Sequence, residues 1–177
     1  YFVNIEKLIQ GVPLQHITHR QEFMKMDFYV NENVLIPRPD TEILVEEVIE
    51  IANKIKNPMI LDLCTGSGAI AISLAKNIKD AKIYATDISE KALEVATKIA
   101  KDLGVNEKIK FIKSDLFEKI DKTKFDIIVS NPPYIKTEDL SDLSEEVQKE
   151  PELALNGWDD GLDFYRKISK QALEFMN

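Results

Sequence analysis

The sequence of 177 residues, 44% hydrophobic and 31% charged, has the length and composition of one folded domain with a small appendage. No apolar run reaches the roughly 18 residues that a membrane-spanning helix needs, and the first residues show no signal-peptide pattern. The formal charge of −8, with lysines alternating with acidic residues, argues against nucleic acid as the main partner.

Cys64 is the single cysteine, so an internal disulfide is excluded, and no cysteine or histidine spacing indicates a metal site. These features favour a reducing, cytoplasmic setting. The chain begins at Tyr1 rather than Met and ends at Asn177 within a helical pattern, which predicts a fragment of a longer protein.

The N-terminal part predicts a β-hairpin followed by a helix. Residues 22–36 are rich in aromatic and β-branched side chains, and we place the hairpin turn at residues 31–33. Pro37 and Pro39 hold the chain extended. Asp40 or Thr41 then caps a helix that continues to about residue 57, with the apolar positions Leu44, Val48, Ile51 and Ile55.

Strands then alternate with helices. The patterns predict strands at residues 59–63, 82–87, 109–112 and 125–130, and helices at 66–76 and from the cap Ser89 to Leu103. Such an order implies a parallel sheet with right-handed crossovers. A short helix is predicted at 141–149 and an amphipathic helix at 163–176, after which we expect missing strands.

A glycine turn, defined as residues Cys64, Thr65, Gly66, Ser67 and Gly68, follows the first strand of this series. Glycines let the backbone turn tightly beside a ligand, and the next helix offers free N–H groups. The pattern fits NAD, S-adenosylmethionine or a turn without any ligand.

Acidic residues follow the next two strands. Asp87 is placed to accept the ribose hydroxyls of an adenosine, although a helix-capping role is also open. Asp115 is placed to accept the adenine amino group while Leu116 covers the ring, and an ordinary turn is equally open.

The Asn-Pro-Pro-Tyr turn, residues Asn131, Pro132, Pro133 and Tyr134, follows the fourth strand. Prolines fix the backbone and leave its carbonyls free to accept hydrogen bonds. An amide nitrogen is a poor nucleophile, but acceptors at Asn131 and Pro132 would hold its two N–H groups and aim its lone pair at a methyl donor. Tyr134 would stack on the planar group. Alignment rather than a strong base would supply the rate.

Four other side chains remain candidates. Arg38, between two prolines, is predicted to order the active-site entrance or to contact the cofactor carboxylate. His16 and His19 are candidates for general bases, but ordinary surface histidines are the favoured interpretation. Cys64 is predicted to pack rather than to react.

The chain resembles the HemK/PrmC-type glutamine methyltransferases of peptide chain release factors. The resemblance rests on the run from Val34 to Glu42, on residues 11–17 with Glu22-Phe23, on Asn131 to Tyr134, and on the downstream Glu150-Pro151, Ala154-Leu155 and 157–162. It implies a Rossmann-like class I methyltransferase fold with flanking helices, a linker and hairpin at 1–39, and an S-adenosylmethionine-binding domain at 40–177 that is incomplete at its C-terminal end.

The resemblance also implies site residues and a partner. Cys64 to Gly68, Asp87, Leu116 and Asn131 would bind S-adenosylmethionine, and residues 131–134 would hold the glutamine of a Gly-Gly-Gln loop in a class I release factor. The product would be N5-methylglutamine.

This sequence departs from the family pattern at three positions. Cys64 replaces a usual Gly, which is tolerated if its φ is negative; His19 falls where Gly is common; and Leu116 replaces the aromatic residue of some members.

Two other functions fit parts of the pattern. One is a nucleic-acid amino-methyltransferase, which would flip a base into the site and require a basic groove. The other is a non-catalytic nucleotide-binding module, but that function does not explain the two prolines and Tyr134.

Overall fold

A parallel four-stranded sheet forms the centre of the computed structural model, which describes residues 2–177. The strands are β1 Gln21–Phe23, β2 Met26–Phe28, β3 Met59–Leu63, β4 Lys82–Asp87, β5 Ile109–Lys113 and β6 Ile127–Ser130. The helices are α1 Phe2–Ile9, α2 Leu14–Thr18, α3 Asp40–Ala52, α4 Ala69–Asn77, α5 Glu90–Asp102, α6 Glu152–Leu155 and α7 Asp163–Ala172, with 3₁₀ turns at Asn106–Lys108, Thr137–Asp142 and Val147–Lys149.

The order of the central strands is β5-β4-β3-β6, and all are parallel. The chain winds outward from β3 through β4 to β5 and then returns to the other side of β3 as β6. Strand order therefore reverses between β3 and β6, which is where open parallel sheets bind their ligands.

Both faces of the sheet are covered. Ile60, Ile83 and Ile109 lie in register on one face, in a core that includes buried side chains of α3, α4, α5 and the β1–β2 hairpin. Leu61 and Leu63 lie on the other face, in a cluster against which side chains of α7 pack. A strand buried on both faces must be apolar throughout, which explains the continuous run in β3.

The predicted fold class, a parallel sheet with flanking helices and a preceding hairpin, is confirmed. The predicted cap Ser89 is also confirmed, because its hydroxyl accepts a hydrogen bond from the Ala92 N–H at 3.2 Å. None of the helices within residues 2–177 combines the length and the apolar character that crossing a bilayer requires.

The predicted position of the hairpin turn was wrong. The turn lies at Met24 and Lys25, with φ of 50° and 58°, rather than at residues 31–33. Two consecutive positive φ angles match the twist of paired strands. Glu42 of α3 stabilises the turn, because its carboxylate accepts a 2.6 Å hydrogen bond from the Met24 N–H. No local sequence pattern predicts that contact.

Several predicted boundaries were wrong as well. Helix α3 has no side-chain cap from Asp40 or Thr41 within the described chain and ends at Ala52, with Asn57 at a φ of 51° before Pro58. Helix α4 begins only at Ala69, because Gly66 and Gly68 both have positive φ. Segment 141–149 forms 3₁₀ turns, strand β6 begins at Ile127, and α7 ends at Ala172.

Candidate active site

The glycine turn and the Asn-Pro-Pro-Tyr turn leave the sheet side by side. Leu63 at the end of β3 pairs with Ser130 at the end of β6, and the Ser130 hydroxyl donates a 2.8 Å hydrogen bond to the Leu63 carbonyl. Cys64 and Asn131 therefore begin their turns from neighbouring strands, which in a sheet lie about 4.8 Å apart.

A cavity of about 220 Å³ opens above these strand ends. Ten of the predicted site residues line it: Arg38, Cys64, Thr65, Gly66, Ser67, Asp87, Asp115, Leu116, Asn131 and Pro133. Residues from the ends of β3, β4, β5 and β6 thus meet at one opening, although they are far apart in the sequence.

Three predicted site residues are not among those lining the cavity in the described part of the chain. A Cβ on Gly68, whose φ is 80°, would lie 2.8 Å from the Ile72 side chain, so Gly68 serves close packing beneath the turn. Pro132 lines a separate groove with Tyr165. The Tyr134 ring is exposed at the surface.

The buried carboxylate of Asp62 stabilises the glycine turn through hydrogen bonds. Asp62 is fully buried and accepts hydrogen bonds from the Thr65 hydroxyl at 2.6 Å and the Ala71 N–H at 3.2 Å. Burial raises the pKa of Asp62 to about 7, and these two bonds oppose the rise. No local pattern in the sequence indicates that Asp62 holds this turn in place.

Asp87 joins two turns at the cavity wall. One carboxylate oxygen accepts the Gly66 N–H at 2.8 Å and the other accepts the Ser89 N–H at 2.9 Å. Burial raises the pKa of Asp87, against the effect of these bonds. A carboxylate offers about four acceptor positions, so it can take further donors while it holds both backbone groups.

Cys64 adopts a backbone conformation that was not expected. Its φ is +58°, whereas its side chain had suggested a negative angle. Strand pairing up to Leu63 and the bond between Thr65 N–H and the Thr86 carbonyl constrain the chain on both sides of it. Burial raises the pKa of the Cys64 thiol to about 12, so it stays protonated and is no nucleophile.

The strain at Cys64 predicts an unusual stability order. Cys64→Gly and Cys64→Ala both remove the thiol, but only glycine adopts this φ without a Cβ penalty. We expect the glycine variant to be more stable than the alanine variant by about 1 kcal/mol in urea unfolding. Equal stabilities, or a more stable alanine variant, would show that the turn is unstrained.

The third strand end presents Asp115 and Leu116. Asp115 is exposed at the cavity, whereas Leu116 is buried beside it with a φ of 44°. The buried Ser114 hydroxyl donates a 2.9 Å hydrogen bond to the Leu116 carbonyl and accepts one from the Lys119 N–H at 3.0 Å. These bonds fix the turn that brings Leu116 to the cavity.

Asn131 contacts the start of α3. Its amide nitrogen donates a 3.2 Å hydrogen bond to the Thr41 hydroxyl, and both residues line the cavity. The carboxamide oxygen of Asn131 is therefore the atom left to accept a donor. Sequence reasoning missed this role of Thr41, since 90 residues separate the two side chains.

Arg38 is held by Glu150. The Glu150 side chain is almost completely buried and accepts hydrogen bonds from the Arg38 guanidinium at 2.5 Å and from the Ile36 N–H at 2.8 Å. Arg38 thereby orders the chain at the cavity entrance, and its remaining N–H groups are available to an anion. Glu150 stands in one of the motifs noted above, but no sequence pattern indicates its partner.

Two glycines press the loop after Glu150 against the Asn-Pro-Pro-Tyr turn. A Cβ on Gly157 would lie 2.7 Å from the Tyr134 Cα, and one on Gly161 would lie 2.3 Å from the Tyr134 carbonyl oxygen. The Gly157 N–H donates to the Ile135 carbonyl at 2.7 Å, and the Ile135 N–H donates to the Leu155 carbonyl at 3.0 Å. This loop fixes the backbone of Tyr134.

The two histidines lie away from the cavity lining of the described chain. His16 is buried, and burial lowers its pKa, so it is neutral. His19 stacks on Tyr29 and shares a 3.1 Å hydrogen bond with the Val30 carbonyl. Trp158 and Lys167 are among the unpredicted residues that do line the cavity.

Comparisons with known proteins identify similar sequences. Residues 39–155 match the family model "Methyltransferase small domain". A release factor glutamine methyltransferase of Clostridium acetobutylicum is 45% identical over 175 residues, which cover 97% of this chain and 61% of that protein. A ribosomal protein uL3 glutamine methyltransferase of Neisseria meningitidis is 43% identical and is matched over 97% of this chain and 57% of its own length.

The solved structures support the fold. The hMettl16 catalytic domain, solved with a MAT2A 3′UTR hairpin, has a TM-score of 0.64 at 17% identity and covers 83% of this chain and 56% of its own. The chain spans about three fifths of the length of the curated relatives it matches. The resemblance to release factor glutamine methyltransferases inferred from the motifs is thus confirmed by named relatives.

Proposed function

Because this chain belongs to the methyltransferase small domain family, we propose that it transfers a methyl group from S-adenosylmethionine to a glutamine side-chain nitrogen in a protein. One observation carries the proposal: the glycine turn and Asn131 follow paired residues of neighbouring strands and line one cavity. The two turns thereby hold the methyl donor next to the nitrogen that receives the methyl group. This alignment is the main requirement for the reaction.

The wall around the glycine turn suits an adenosine-containing donor. A Cβ on Gly66 would meet nothing within 4 Å, so the turn faces open space, and the Asp87 carboxylate stands beside it with acceptor capacity left. Ile88 and Leu116 add apolar surface for a flat ring. Arg38 and Lys167 supply positive charge for a carboxylate. When bound, the donor supplies an electrophilic methyl group.

The chain's own residues would then hold the nucleophile. The Asn131 carboxamide oxygen would accept one N–H of the glutamine amide, and the main-chain carbonyl of Pro132, which lies between the cavity-lining residues Asn131 and Pro133, would accept the other. The flat NH₂ group is oriented with its lone pair toward the methyl group, and Tyr134 covers the substrate from outside. Methylation makes the nitrogen acidic enough to release a proton without a strong base, and the protonated Cys64 thiol takes no part.

The charges near the cavity favour a protein over a nucleic acid. Residues 137–163 carry ten acidic side chains and one lysine, and Pro151, Leu153, Ala154 and Trp158 of this segment line the cavity. A polyphosphate backbone would be repelled here, whereas a neutral or basic protein loop would not. Because the relative from Clostridium acetobutylicum is named a release factor glutamine methyltransferase, we propose a class I release factor as the substrate, and we propose the cytoplasm as the site of action.

The uL3 relative makes ribosomal protein uL3 a second candidate substrate.

To test the proposal, the intact protein is incubated with methyl-labelled donor and with release factor, uL3, RNA or DNA in separate reactions. We expect label in the release factor, on the glutamine of its Gly-Gly-Gln loop when the protein is digested and sequenced by mass spectrometry. Label in uL3 alone would change the substrate, and label in nucleic acid alone would contradict the proposal.

A further inference from the structure

The hydroxyl of Thr41 does not cap the helix that begins beside it. The sequence had suggested that Asp40 or Thr41 caps α3, but the cap position is Pro39 and no side chain within residues 2–177 caps the helix. The Thr41 hydroxyl instead accepts a hydrogen bond from the Asn131 amide nitrogen at 3.2 Å. We infer that Thr41 is a positioning residue that holds the Asn131 carboxamide with its nitrogen toward the start of α3.

The orientation matters because a carboxamide has two unlike ends. Its oxygen accepts hydrogen bonds and its nitrogen donates them, and a half-turn about the last side-chain bond exchanges the two. A flipped Asn131 would present N–H groups to the N–H groups of the substrate amide, and the contact would become repulsive. The Thr41 hydroxyl holds the nitrogen and so leaves the oxygen for the substrate; this role rests on the function proposed above.

The backbone that carries this hydroxyl is itself held in place. The Thr41 N–H donates to the Arg38 carbonyl at 3.0 Å, and the Arg38 side chain is paired with the buried Glu150. Glu150 also accepts the Ile36 N–H, so two contacts fix the segment before α3. Thr41 is half-buried at the cavity wall, where a rotated side chain would lose its partner.

Substitution of Thr41 tests the inference. Thr41→Val and Thr41→Ala remove the hydroxyl, whereas Thr41→Ser keeps it. In the intact protein, with saturating donor and the protein substrate, we expect kcat to fall about tenfold in both hydroxyl-free variants and to stay within about threefold of wild type in Thr41→Ser. Donor affinity should change less than about twofold. It can be followed by the emission of the single tryptophan, Trp158, which lines the cavity.

A double-mutant cycle separates positioning from a general structural effect. Because Thr41 acts through Asn131, adding Thr41→Val to Asn131→Ala should lower the residual single-turnover rate less than about twofold. A further tenfold loss in that background, a Thr41→Ser variant as slow as Thr41→Val, or a wild-type rate in both hydroxyl-free variants would overturn the inference. Failure of the wild-type protein to methylate any protein substrate would instead overturn the proposed function.

Discussion

Asn131→Ala is expected to lower kcat for methyl transfer by about 10³-fold while the affinity for the donor changes only a few-fold. The variant removes the acceptor that holds the substrate amide, and it leaves the glycine turn and Asp87 intact. The loss therefore falls on the step in which the nitrogen is aligned with the methyl group. Initial rates with labelled donor, together with donor titration by Trp158 fluorescence, separate the two quantities.

Asn77→Ala is the matched control for this substitution. Asn77 ends α4, and its carboxamide donates a 2.8 Å hydrogen bond to the Ser73 carbonyl, outside the cavity lining. We expect this variant to keep the wild-type kcat. Turnover by Asn131→Ala at a rate close to that of Asn77→Ala would remove the mechanism proposed for the Asn-Pro-Pro-Tyr turn.

Gly161→Ala is expected to damage both stability and catalysis. The φ of Gly161 is 76°, and an added Cβ would lie 2.3 Å from the Tyr134 carbonyl oxygen, closer than any tolerated contact. Either the loop or the Asn-Pro-Pro-Tyr turn must move. We expect a loss of about 3 kcal/mol in the free energy of unfolding and a fall of about 10²-fold in kcat.

Gly104→Ala isolates the steric part of that effect. Gly104 follows α5 with a similar φ of 70°, but an added Cβ would meet nothing within 4 Å. This variant should lose only about 1 kcal/mol, from backbone strain, and should keep its kcat. If Gly161→Ala behaves like Gly104→Ala in urea unfolding and in rate, the loop after Glu150 does not support the Asn-Pro-Pro-Tyr turn.

The sheet and the cavity residues at its strand ends could be predicted because their signals are local. A continuous apolar run such as Met59–Leu63 identifies a buried strand, and the polar or glycine residues that follow each strand mark the ligand edge. Asp87 and Asn131 were found in this way. Once strand order is fixed, parallel pairing brings these ends together without further information.

The features that were missed depend on contacts between distant segments. The Thr41 hydroxyl and the Glu150 carboxylate acquire partners 90 and 114 residues away, respectively, and no spacing in the sequence encodes those pairs. The positive φ of Cys64 is imposed by strand pairing on one side and the glycine turn on the other, against the preference of its side chain. The turn at Met24-Lys25 was missed for a related reason, since neither residue favours a positive φ.

A crystal structure of the intact protein with S-adenosylhomocysteine and a glutamine-containing peptide would test the shared cavity most directly. We expect the sulfur to lie above the glycine turn and to face the glutamine nitrogen, with the Asn131 carboxamide oxygen about 3 Å from that nitrogen. A nucleoside bound elsewhere, or a glutamine amide held without Asn131, would contradict it.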